Sequence, residues 1–126
     1  MTVQELAEYS GLKTEIELYS KQIDYWTSAP PLGTNRAEKA KYRAAVQDLV
    51  SLYIEILKQR KEQLSRLQSF FDGIENPAYK YLFHLRYVRG FEWLQVWDHM
   101  ADAGYEYAPD SCKKIARRYI DKAAAL

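Results

Sequence analysis

The chain has 126 residues, which suffices for one domain or for a small domain with a helical arm. Apolar residues make up 48% of it, which argues against disorder, and a formal net charge of +1 gives no global attraction to nucleic acid. A single cysteine excludes an intramolecular disulfide, no apolar run approaches a membrane span, and the N-terminus does not have the order of a signal peptide. We therefore expect a cytoplasmic protein without membrane association.

The first half of the sequence predicts two amphipathic helices joined by a proline loop. The segment Thr2-Val-Gln-Glu5 has the pattern of a capping box, and Pro30 and Pro31 end the helix that follows. A second helix begins near Asn35 and meets no Gly or Pro before about Phe71, which gives it about 35 residues. Apolar residues at alternating spacings of four and three mark one face of the first helix: Leu12, Ile16, Tyr19, Ile23 and Trp26.

A helix as long as the second one cannot bury its apolar stripe alone. It therefore predicts pairing with the first helix as an antiparallel, coiled-coil-like hairpin over residues 1–73, or pairing with a second copy of the chain. We expect a homodimer.

The second half predicts three short helices over residues 76–126. Asn76 and Pro77 begin the first of them, Gly90 ends it, Trp93 lies in the second, and the third begins at Pro109 or Asp110. The predicted fold is thus all-α, with an N-terminal hairpin (residues 1–73) followed by a three-helix helix-turn-helix module (residues 76–126).

The last predicted helix has basic residues on the side opposite its apolar residues. Residues 107–126 carry five basic and two acidic side chains, whereas residues 1–76 carry ten and eleven. Basic side chains neutralise DNA phosphates, and residues near the start of a recognition helix read base edges in the major groove. A solvated helix face with no partner would give the same pattern, because basic residues favour helix C-termini. The candidate DNA-binding residues are Ser111, Lys113, Lys114, Arg117, Arg118 and Lys122.

A sequence motif supports the DNA-binding interpretation. The run from Tyr81 to Gly90, which contains Leu85-Arg86-Tyr87-Val88-Arg89-Gly90, is followed by Trp93 and Val96. It resembles phage transcriptional regulators of the RinA and ArpU type, which are similar to the fourth conserved region of bacterial sigma factors. The resemblance implies a C-terminal helix-turn-helix that binds double-stranded DNA, and contact with RNA polymerase or another host protein. The chain has Glu92 where the family commonly has Ser or Thr, and its segment 101–109 is longer than the usual turn.

Catalytic and metal-binding patterns are weak in this sequence. His84 lies in a helix beside apolar residues, His99 follows Asp98 without a nucleophile at a matching spacing, and Cys112 falls on an apolar face. We therefore expect neither an enzyme nor a cofactor or metal. Two alternatives to DNA regulation remain: a small helical protein that binds and blocks a host protein, with tyrosines at the contact, and a packaging-type subunit that binds DNA as a ring.

Overall fold

A computed structural model describes residues 1–125; Leu126, the last residue of the predicted C-terminal module, lies outside the described residues. Over the described range the protein is helical and contains no strand, which confirms the all-α class. The helices are α1 (Val3–Ala7), α2 (Tyr9–Ser28), α3 (Arg36–Asp72), α4 (Pro77–Phe83), which continues as a π-helical turn (His84–Val88), α5 (Trp93–Asp102) and α6 (Ser111–Ala124).

Local side-chain contacts explain where several of these helices begin. The Glu5 amide donates a hydrogen bond to Thr2 Oγ1 (3.1 Å), and the amides of residues 78 and 79 donate to the Asn76 side chain, with Pro77 in the first helical position. These contacts confirm the starts predicted at Thr2 and Asn76, because each cap depends only on neighbours in the sequence.

The start of α3 uses a reciprocal cap. The Glu38 amide donates to Asn35 Oδ1 (2.9 Å), while the Glu38 carboxylate accepts hydrogen bonds from the amide and hydroxyl of Thr34, both at 2.7 Å. These bonds favour the ionised carboxylate, so the pKa of Glu38 lies below its usual value. Gly33, at φ +137°, lets the loop approach this turn, since an added Cβ would lie 2.8 Å from the Cβ of Glu38.

By spatial proximity the described chain groups into two compact units. One contains residues 12–63, and the other contains residues 1–11 with the described residues from 64 onward. The division into residues 1–73 and 76–126 drawn from the sequence stays a prediction.

The unit that contains α4, α5 and α6 has a well-formed core. Phe83 is fully buried, and its ring contacts the rings of Phe70, Tyr87 and Tyr119 at centroid distances of 5.4 to 5.9 Å. Aromatic pairs in edge or tilted geometry stabilise a core beyond the area that they bury. Other fully buried side chains of this unit lie in α1, α3, α4, the π-helical turn, α5 and α6, and in the segment after α3: Leu6, Leu67, Ile74, Leu82, Leu85, Val96, Met100 and Cys112.

The unit of residues 12–63 is different, because it has almost no buried side chain. Arg60 Nε lies 2.9 Å from Glu15 Oε2, although without hydrogen-bond alignment, and the rings of Tyr19 and Tyr53 lie 5.6 Å apart. Leu12, at 3% exposure, is the one buried residue in this range. The apolar residues predicted to form the seam of α2 are otherwise half-buried.

Candidate nucleic-acid interface

Helix α6 is anchored by its apolar face. Cys112, Ala116 and Ile120 recur every four residues and are buried, so they lie on the same side of the helix. Tyr119 adds ring contacts to Phe70 in α3 and to Phe83 in α4. This packing against several elements fixes which side of α6 faces solvent.

The predicted basic residues lie on the solvent side of α6. Ser111 is half-buried as the first helical residue, whereas the five basic side chains are all exposed: Lys113, Lys114, Arg117, Arg118 and Lys122. At 100° per residue they form two rows. We call Lys113 and Arg117 the first row, and Lys114, Arg118 and Lys122 the second row. The structure thus places all six candidate residues on one helix, with the five charges outward.

The first turn of α6 contains an ion pair within the candidate interface. Lys114 Nζ lies 3.1 Å from Asp110 Oδ2, and this hydrogen bond lowers the pKa of Asp110. Both side chains are more than 60% exposed, so the pair contributes little to stability and can open when another anion approaches. Asp110 makes no capping hydrogen bond to α6. Lys114 is therefore a weaker candidate for phosphate contact than Lys113.

Arg117 lies close enough to the core to act on Tyr87. Burial raises the pKa of the Tyr87 phenol, and the positive charges of Arg86 and Arg117 partly offset that increase. Tyr87 is 5% exposed and lies in the π-helical turn, so the charge of Arg117 acts on a buried group there.

The long segment between α5 and α6 is held by specific contacts. Trp97 Nε1 donates to the carbonyl of Tyr107 (2.8 Å), and the Tyr105 amide donates to the carbonyl of Met100 (2.9 Å). Gly104, at φ +92°, provides the left-handed turn that ends α5. These two hydrogen bonds therefore hold segment 101–109 against α5.

The motif residues between α4 and α5 form one packed turn. Arg86 Nη1 donates to the carbonyl of Phe91 (2.9 Å), and its guanidinium lies 4.8 Å from the centroid of the Trp93 ring. Tyr87 contacts the same ring edge-on at 6.5 Å, and Gly90 adopts φ +72°. These residues build the corner before α5. The amide of residue 92 donates to Gln95 Oε1 (3.0 Å), which supplies one capping bond at this helix start.

A second group at this corner was missed by the sequence reasoning. The exposed Arg89 guanidinium lies 4.7 Å from the centroid of the Phe91 ring, and the His99 ring stacks on that ring at 4.8 Å with an interplanar angle of 8°. The Arg89–Phe91 spacing of two residues was visible in the sequence. The stacking on His99 was not, since it depends on how α5 folds back.

A groove lies beside the second row of α6. It has a volume of about 570 Å³, and Arg118 and Lys122 form part of its wall beside Tyr79, Ile115 and Tyr119. Glu75 lies on the same lining. Arg118 and Lys122 of the second row therefore border a groove that combines apolar side chains with charges of both signs. The first row does not line this groove.

The residues considered for catalysis do not come together. His84 is exposed and lines a shallow cavity of about 360 Å³ with Asp72 and Lys80, whereas His99 is stacked on Phe91. Cys112 is buried, and burial raises the pKa of its thiol. Among residues 1–125, no cluster of three or more His, Cys, Asp or Glu side chains could hold a metal ion. In that same range, no helix is long and apolar enough to span a membrane.

Comparisons with protein-family models, curated proteins and solved structures found no match to this chain. Function must therefore be inferred from the geometry of α4, α5 and α6.

Proposed function

We propose that the protein is a sequence-specific transcriptional regulator of phage or prophage type that binds double-stranded DNA. In this proposal α4, α5 and α6 form a sigma-like helix-turn-helix module, and α6 lies in the major groove. The observation that carries it is the arrangement of α6, whose apolar face is buried against the core while five basic side chains point to solvent.

The two rows of α6 have separable roles in this proposal. Lys113 and Arg117 lie in the first half of the helix, where a recognition helix approaches base edges, and Ser111 can add a hydroxyl contact. Arg118 and Lys122 lie further along, where contact with phosphates positions the helix without reading sequence. The opening of the exposed Lys114–Asp110 pair would free one more cation for phosphate.

The unit of residues 12–63 serves as a helical arm in this proposal. The pairing of Glu15 with Arg60 and of Tyr19 with Tyr53 runs in opposite chain directions, which supports an antiparallel hairpin of α2 and α3. In this proposal the hairpin is the part of the chain that contacts RNA polymerase.

The direct test uses DNA fragments from the genomic neighbourhood of the gene. Fluorescence anisotropy with labelled duplexes in 50 mM salt should show one fragment bound at least about 1,000-fold more tightly than a scrambled duplex of equal length. Footprinting on that fragment should then protect a short site. If no fragment binds at low salt, the proposal fails; if all bind equally, the protein binds DNA without reading its sequence.

A second candidate function is a protein-interaction module without a DNA role. The groove beside Tyr79, Ile115 and Tyr119 favours it, because tyrosines and apolar side chains are common at the centres of protein interfaces. Stable capture of one host protein after nuclease treatment, lost in a Tyr79→Asp variant and kept in a Lys113→Ala variant, would support this function.

A further inference from the structure

The cavity that His84 lines has the features of a small-molecule site. Its volume is about 360 Å³, and none of the basic residues of α6 lines it. The lining residues belong to one compact unit of the chain and include Tyr9, Phe71, Asp72, Lys80, His84 and Val88. Ligand sites in proteins start at about 300 Å³, so this cavity suits a molecule of the size of one amino acid.

Three of the lining residues give the cavity an apolar wall. The rings of Tyr9 and Phe71 meet edge-on with 5.1 Å between their centroids, and Tyr9 is 6% exposed. Phe71 also contacts the ring of Phe70, which in turn contacts the buried ring of Phe83. Val88, which is half-buried, is the third apolar residue. Because the two rings are packed against the core, the wall is formed before any ligand binds, and little entropy is lost in ordering it.

The polar lining residues come in two pairs, one on each of two helices. Gln68 and Asp72 are four residues apart in α3, and Lys80 and His84 are four residues apart in α4 and the π-helical turn. Residues at this spacing are neighbours on one side of a helix. All four side chains are exposed. The α3 side of the cavity therefore carries a negative charge, and the α4 side carries a positive charge.

These two charges are not paired within the protein. Among residues 1–125, neither Asp72 nor Lys80 forms an ion pair or a side-chain hydrogen bond, although both line the same cavity. A ligand with one charge would bind one of them and be repelled by the other. A ligand with both charges avoids this cost, because it can place its anionic group at Lys80 and its cationic group at Asp72.

We propose that this cavity binds a free α-amino acid with an apolar side chain. The carboxylate binds Lys80 and accepts a hydrogen bond from His84, the ammonium group binds Asp72, and the side chain packs against Phe71 and Val88. Such a molecule carries both charges and an apolar body, which are the three features that the lining residues complement. The inference does not rest on DNA binding, because the cavity and the basic rows of α6 share no residue.

The first test titrates the full chain with free L-leucine, L-isoleucine, L-valine, L-methionine, L-phenylalanine and L-tyrosine. Nuclear magnetic resonance follows the methyl signals of Val88 and the ring signals of Phe71, so binding elsewhere is recognised. We expect at least one of these amino acids to shift both sets of signals with a Kd below about 1 mM. If none does, the inference is overturned.

The second test asks whether both charges of the ligand are needed. For the amino acid that binds most tightly, the analogue without the ammonium group and the analogue without the carboxylate should each bind at least about tenfold more weakly, because each loses a charge-assisted contact. An analogue without the ammonium group that binds as tightly as the amino acid would show a site for anions, and it would refute the proposed ligand class.

The third test changes the protein at exposed positions, where loss of one charge leaves the fold intact. Lys80→Gln and Asp72→Asn should each weaken binding at least about tenfold. The matched controls are Lys113→Gln and Glu75→Gln, which remove the same charges from exposed positions outside the cavity and should bind like the wild type. Equal weakening in the controls, or an unchanged Kd in the Lys80 and Asp72 variants, would contradict the proposed site.

Discussion

Removal of the first row of α6 should change the salt dependence of DNA binding by a predictable amount. Lys113 and Arg117 are exposed and lie on the outward side of a helix whose other side is buried. If α6 lies against a duplex whose sequence it does not read, each of its cations, the first row included, neutralises about one phosphate and releases its condensed counterions. A Lys113→Ala/Arg117→Ala variant should therefore bind less tightly and lose affinity less steeply as salt is added.

The magnitude follows from the number of exposed cations on α6. Five phosphate contacts at about 0.9 each give a slope of about −4.5 for log affinity against log salt, and three contacts give about −2.7. Between 50 and 200 mM salt, the wild type should therefore weaken about 500-fold and the variant about 40-fold.

The assay is fluorescence anisotropy with one labelled scrambled duplex, on which the first row contacts phosphates and not bases, at four or more salt concentrations. The control is Lys58→Ala/Lys61→Ala, which removes the same charge from exposed positions in α3, outside the candidate interface. The control should keep a slope close to that of the wild type. A first-row variant whose slope equals that of the control would show that the first row does not contact the phosphates of this duplex, and the reasoning would be refuted.

The remaining predictions concern the stability of the fold. A Cys112→Ser change buries a hydroxyl in place of a thiol and should lower the free energy of unfolding by about 1–3 kcal/mol in chemical denaturation. The native Cys112 thiol is buried, and burial raises its pKa. It should therefore react with a thiol reagent only after unfolding. Trp97→Phe removes the hydrogen bond to the Tyr107 carbonyl and should cost about 0.5–1.5 kcal/mol, with faster hydrogen exchange in the segment before α6. Gly90→Ala should lower the free energy of unfolding by about 1–2 kcal/mol, because φ at this position is +72°. Gly11 lies in a helix with no atom within 4 Å of an added Cβ, so Gly11→Ala should instead stabilise the protein by about 0.5–1 kcal/mol. Thermal melts measure both changes.

The ends of the helices could be predicted from the sequence because they depend on nearby residues. Thr2, Asn35 and Asn76 each accept a hydrogen bond from an amide two or three residues further along, and Pro77 stands where its missing N–H costs nothing. The exposure of the basic residues of α6 was predictable for a similar reason, since the buried residues at every fourth position fix the outward side.

Contacts between distant parts of the chain could not be predicted in this way. The stack of Arg89, Phe91 and His99 exists because α5 folds back over the corner at Gly90, and no local pattern encodes that direction. The hydrogen bond from Trp97 Nε1 to the Tyr107 carbonyl could not be predicted from the sequence either, because any backbone carbonyl could accept it. The grouping of residues 1–11 with the C-terminal helices depends on such long-range packing.

The two rows of α6 provide the sharpest test of how the helix faces DNA. Lys113→Ala/Arg117→Ala and Arg118→Ala/Lys122→Ala remove equal charge from the same helix, so nonspecific binding should weaken equally in both. Sequence discrimination should not weaken equally in the two variants. It should fall more in the first-row variant, because the first row lies in the half of the helix that reaches base edges.

Competition between the preferred fragment and a scrambled duplex measures this discrimination. The loss of one base contact costs about 1–3 kcal/mol, so the first-row variant should lose at least about fivefold in the ratio of the two affinities. The second-row variant should keep that ratio, because phosphate contacts carry no sequence information. If discrimination falls more in the second-row variant, then the side of α6 next to the groove at Tyr79 and Tyr119 faces the bases, and the first row instead faces the phosphates.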